Sequence, residues 1–99
     1  MSNYWSWNGN TNGTATSPVQ NLPNIIESFS IVPTGSSTVN VYKITASTSV
    51  CISPNNKALS VGDIYEGTRA IVLLPTEQIK VQVSGSVSYD FTLLNIQPV

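Results

Sequence analysis

The sequence contains no histidine, a single cysteine, and only four basic and five acidic residues among 99. Each shortage removes a class of chemistry. Without histidine, Ser–His and Cys–His nucleophile pairs and histidine-ligated metals are excluded. The lone Cys51 forms neither an internal disulfide nor a metal cage, and its place in the apolar run Ser49-Val50-Cys51-Ile52 predicts a buried small hydrophobe. Four basic residues leave no stripe that neutralises a phosphate backbone, so nucleic acid is not an expected partner. No run approaches the ~20 apolar residues of a membrane-spanning helix. The first residues lack the basic and apolar regions of a secretory signal, so neither a membrane partner nor export by a cleaved signal is expected.

The five acids are Glu27, Asp63, Glu66, Glu77 and Asp90. Glycoside hydrolysis needs two carboxylates facing each other across a cleft. Asp63 and Glu66 are close in sequence, but they flank a turn signal at Gly62-Asp63 that projects side chains into solvent. No cofactor motif accompanies them, so the chain is not expected to be an enzyme, to bind a metal or to carry a cofactor. Charged residues make up 9% of the chain, against about 25% in an ordinary soluble domain. The surface is therefore covered by Ser, Thr, Asn and Gln, with little repulsion between copies. That pattern fits a protein working inside an assembly.

The body of the sequence reads as short extended segments. Residues 25–31 alternate around Phe29 and Ile31, interrupted at Glu27, and end at the turn cluster Pro33-Thr34-Gly35-Ser36-Ser37. Val39 and Val41 share one face of the next segment, with Tyr42 and Ile44 on the other. Ser49–Ser53 is a short strand closed by Pro54-Asn55-Asn56. Ala70-Ile71-Val72-Leu73-Leu74, ending at Pro75, reads as a core strand. Ile79, Val81 and Val83, then Val87, Tyr89, Phe91 and Leu93, alternate on either side of Ser84-Gly85-Ser86. This is the pattern of a hairpin, with Lys80 and Asp90 facing one another across it. No longer segment has helical periodicity. The expectation is an all-β domain over residues 24–99, a β-sandwich or jelly-roll-like fold of about seven short antiparallel strands.

Residues 1–23 differ in composition. They are rich in Asn, Gly, Thr and Ser, and they contain Tyr4, Trp5 and Trp7. This segment reads as an extended N-terminal arm. Large aromatics are costly to leave in water and supply much of the energy of protein interfaces. Three uses are open to them: capping this domain's own sandwich, docking into a neighbouring subunit, or stacking on a sugar ring. Docking is the expectation adopted, with Tyr4, Trp5 and Trp7 as partner-binding residues. Trp5 and Trp7 fall on one side of an extended chain and Tyr4 on the other.

The order of these segments carries a resemblance. The Val39-Asn40-Val41-Tyr42 strand, Leu59-Ser60-Val61-Gly62-Asp63, residues 70–74, Ile79-Lys80-Val81-Gln82-Val83 and Ser88-Tyr89-Asp90-Phe91 resemble a group of small structural proteins of tailed-bacteriophage virions. The likeness spans about Asn24 to Ile96. It implies a β-sandwich of the kind found among capsid decoration (cement) proteins and related fibre components, often trimeric. The function it implies is a decoration protein at the capsid surface of the virion, binding the major capsid protein or other virion subunits and forming a homo-oligomer, with a trimer favoured. The alternative is a tail- or fibre-associated carbohydrate- or receptor-binding module.

Overall fold

The computed structural model describes residues 3–67 and 70–96. It is all-β, with ten strands: β1 (Asn3–Thr11), β2 (Thr14–Thr16), β3 (Asn24–Pro33), β4 (Ser37–Ile44), β5 (Ser49–Cys51), β6 (Lys57–Leu59), β7 (Tyr65–Gly67), β8 (Ile71–Leu73), β9 (Gln78–Val83) and β10 (Val87–Asn95). They form two antiparallel sheets of five. The first, sheet A, runs β1-β10-β3, with β7 and β8 dividing the far edge of β3. The second, sheet B, runs β2-β9-β4, with β5 and β6 dividing the far edge of β4. The expected sandwich is present, with ten strands in place of about seven.

Period-two patterning explains which faces meet. Ile26, Phe29 and Ile31 of β3 and Val87, Tyr89, Phe91 and Leu93 of β10 point inward from sheet A. Val39 and Val41 of β4 and Ile79, Val81 and Val83 of β9 oppose them from sheet B. Each such side chain taken fully out of water stabilises the fold by about 1.5–3 kcal/mol before entropy costs. The alternation in β3 skips at Glu27. Ser28 pairs with Thr92 while Ile26 pairs with Leu93, so one extra residue stands opposite β10. This bulge puts Ile26, rather than Ile25, in phase with Phe29 and Ile31.

The expected β9–β10 hairpin is corrected. The two strands belong to different sheets, so Ser84-Gly85-Ser86 is an arch across the sandwich. The β3–β4 connection is a second arch, and the two interlock. Thr34 N donates to Ser86 O at 2.9 Å, Gly85 N to Ser37 Oγ at 3.0 Å and Thr38 N to Ser84 Oγ at 2.9 Å. A Cβ on Gly85 would collide with the Ser36 carbonyl oxygen, so glycine is required where the arches touch. Lys80 and Asp90 consequently lie on opposite outer faces and do not pair. Among the described residues the charged pair that forms is Lys43 Nζ to Glu77 Oε1 at 3.4 Å.

The N-terminal segment is not a free arm. β1 pairs with β10 along nine residue pairs, from Asn3↔Asn95 to Thr11↔Val87. The chain then crosses to sheet B, where β2 pairs with β9. Ser17 is buried and fixes the exit: its Oγ accepts from Ile79 N at 2.8 Å and its carbonyl accepts from Gln78 Nε2 at 2.6 Å. Thr76 N donates to Gln20 O at 2.8 Å and Ile96 N to Pro23 O at 2.9 Å, tying down the remainder. The expected boundary near Pro23 is therefore a change of composition within one folded unit. Residues 1–2 of the expected arm and residues 97–99 of the expected body lie outside the described residues.

Candidate interaction surfaces

The three N-terminal aromatics divide by face, as their spacing predicts, but toward different surroundings. β1 is an edge strand whose inward positions are Trp5, Trp7, Gly9 and Thr11. Both indoles pack against the sandwich's own core. The Trp7 ring lies 4.5 Å from that of Tyr89 and 5.3 Å from that of Phe91, tilted against both. Gly9 stands opposite Tyr89, where an added Cβ would meet the phenol oxygen at 2.8 Å. Trp5 Nε1 donates to Asn24 Oδ1 at 2.8 Å. Asn24 is itself buried and donates from Nδ2 to Leu22 O at 3.0 Å, while Asn95 Nδ2 reaches the same Oδ1 at 3.3 Å. A buried amide thus holds the indole nitrogen that would otherwise lose its partner on leaving water. Trp5 and Trp7, expected to dock into a neighbouring subunit, here cap the core of their own sandwich.

Tyr4 points the other way and is 66% exposed. Register places it in a row. Tyr4 is opposite Leu94, Leu94 opposite Ile25, and Ile25 opposite Val72, so one apolar line crosses four strands on the outer face of sheet A. Val72 is 50% exposed, and Leu74, just past β8, is 56% exposed. The segment expected as a core strand is thus an edge strand with only Leu73 fully covered. The rest of this face is polar. Ser6, Thr92 and Ser28 form the next row, and Asn8, Asp90, Ser30 and Glu66 the one after the neighbouring inward set. The alignment of Tyr4, Leu94, Ile25 and Val72 into an apolar line needs the pairing of strands distant in sequence.

The outer face of sheet B has a different character. Lys80 and Tyr42 are directly opposite across β9 and β4, with the ammonium 4.6 Å from the ring centroid. Beside them a shallow polar concavity of about 320 Å³ is lined by Thr38, Asn40, Tyr42, Asn56, Gln82, Val83 and Ser84. Asn40 Oδ1 accepts from Asn56 N at 2.7 Å, and Asn40 Nδ2 donates to Asn56 Oδ1 at 2.9 Å. These amides satisfy one another, which makes the concavity a braced turn. Among the described residues no group of three His, Cys, Asp or Glu side chains is placed to hold a metal ion. Asp63 and Glu66 are solvent-exposed as expected, and Asp63 Oδ2 accepts from Ser60 N at 2.8 Å, which closes its turn.

Cys51 is exposed, contrary to expectation, because β5 is a short edge strand and the residue pairs with Tyr42 on the outer side of sheet B. Burial raises the Tyr65 phenol above its ordinary ionisation range, with the negative charge of the Cys51 thiolate adding to the shift. In the native protein Cys51 should react with an aromatic disulfide reagent as fast as in urea. Protection of more than about a hundredfold would mark it as covered.

No protein-family profile matches the chain, and no curated protein matches it in sequence. Among solved structures the chain is similar to the Drosophila NLP core, a crystal structure concerned with pentamer formation and histone binding. The TM-score is 0.57 at 13% identity, and the match covers 93% of this chain and 98% of the NLP core. That neighbour is a histone-binding protein and not a component of a virion. It overturns the expected capsid-decoration role and its tail or fibre alternative, and leaves the major-capsid-protein partner and the virion location without support. At this identity the likeness establishes the fold: a β-sandwich shared, over nearly its whole length, with the core of a pentamer-forming protein.

Proposed function

We propose that the chain is a non-enzymatic β-sandwich subunit that acts by assembling with further copies of itself. The observation that carries this reading is the fold shared with the NLP core, whose structure is described in terms of pentamer formation. Two features of this chain support it independently. The line Tyr4–Leu94–Ile25–Val72 leaves apolar surface across four strands of one outer face. Such rows on a polar surface mark protein contacts. A net charge of −1 also leaves little repulsion between copies. A closed ring of five is the stoichiometry proposed here in place of a trimer.

Histone binding does not follow from the fold to this chain. A strongly basic partner calls for a negative field, and five acids against four bases do not produce one. Sedimentation velocity over a micromolar concentration series tests the reading. Self-association is expected, with core histones left unbound at physiological salt. A monomer throughout the series overturns it.

A further inference from the structure

We infer that the contact between copies joins the outer face of sheet A of one subunit to the outer face of sheet B of the next. This rests on the self-assembly proposed above and names the surfaces that perform it. Among the described residues, the outer side chains of sheet A include two exposed carboxylates, Asp90 and Glu66, on either side of Ser30 in one cross-strand row, and no basic group. The outer side chains of sheet B include Lys80 and no acid. Neither Asp90 nor Lys80 has an ionic partner within the described part of its own subunit.

The charges decide between occupants. Pairing sheet A with sheet A would set the carboxylates of one copy against those of the other, a like-charge contact that costs free energy on either side of a two-fold axis. Pairing sheet A with sheet B sets carboxylates against an ammonium. Apolar groups accompany the charges on both faces. Sheet A has the row ending in Tyr4 and Val72, and sheet B has Tyr42 with Ile44 two residues along the same strand. The hydroxyl and amide rows between them are neutral and present both donors and acceptors. Two different surfaces of one chain then meet. Repetition of such a contact closes into a ring when the rotation between neighbours divides the circle, and grows into a fibre when it does not.

The test is a charge exchange read by sedimentation at low and at physiological salt, with circular dichroism confirming that each variant keeps the wild-type fold. Asp90→Lys and Lys80→Glu should each weaken self-association by about tenfold or more, because the first sets an ammonium against Lys80 and leaves Glu66 as the remaining carboxylate of the row, and the second makes both facing surfaces negative. The double variant should regain most of the affinity. The two residues lie on opposite outer faces of one subunit, so this recovery can come only from contact between subunits. Val72→Glu should weaken association without being rescued by either change. An oligomer whose affinity is indifferent to Lys80→Glu overturns the pairing of faces while leaving self-assembly standing. A wild-type monomer overturns both.

Discussion

Replacing Trp5 and Trp7 together by Ala should lower the unfolding free energy by about 4–6 kcal/mol. The estimate takes each indole as partly buried and discounts the 3–5 kcal/mol typical of a fully buried aromatic truncated to Ala. A loss of this size approaches the whole stability of a small domain, about 5–15 kcal/mol. The two side chains contribute differently. Trp7 loses its contacts with Tyr89 and Phe91, whereas Trp5 also removes the donor that occupies the buried Asn24 oxygen. Denaturation in urea should show the midpoint falling for both single variants and near-complete unfolding for the pair. An unchanged midpoint for the pair would mean that the indoles are free to serve a partner and that β1 does not hold the sandwich together.

The second large effect is expected at Gly67. It pairs with Phe29 at the edge of sheet A, and a Cβ placed on it would collide with the Phe29 ring. That ring stacks on Phe91 at 4.9 Å and meets Tyr65 edge-on at 5.3 Å, so it has no free direction in which to yield. Gly67→Val should cost about 3 kcal/mol or more through displaced aromatics and a detached β7. The substitution otherwise suits an extended strand, since valine has the higher β-propensity. Thermal unfolding separates the two influences. A lowered midpoint follows from the collision, and a raised one would show that propensity outweighs it and that the ring moves aside.

Much of the fold was legible in local patterning, and the losses have a common physical origin. The inward sets of β9 and β10 and of β4 follow directly from alternation, because the side-chain period of a strand is fixed. Ser84-Gly85-Ser86 is a turn, as its residues predict, yet turn chemistry does not specify which sheet receives the next strand. A hairpin and an arch share their residues, and the arch appears only when Gly85 meets Ser36 and Ser37. The N-terminal segment failed for a related reason. Asn and Gly are poor strand formers in isolation, and β1 is a strand because β10 offers it a paired edge and the core offers two slots for indoles.

The candidate surface was less legible than the fold. Sequence alone picked out Tyr4 but grouped it with Trp5 and Trp7, although opposite faces of one strand take opposite surroundings. Leu94, Ile25 and Val72 carry no signal of exposure in their own neighbourhoods. Ile25 reads as core until the bulge at Glu27 shifts the phase, and Val72 reads as core until β8 is seen to be an edge. Long-range register made the surface, and register is absent from any local window.

The central claim is that this sandwich is a subunit that closes on copies of itself through two different faces. Native mass spectrometry of the full chain tests it most directly, because it counts subunits and separates closed from open assemblies. The account predicts one dominant species with a fixed subunit number, five for the proposed ring, and stepwise loss of that species for Lys80→Glu. A single-subunit mass at micromolar concentration, in conditions where the wild type is folded, would contradict it.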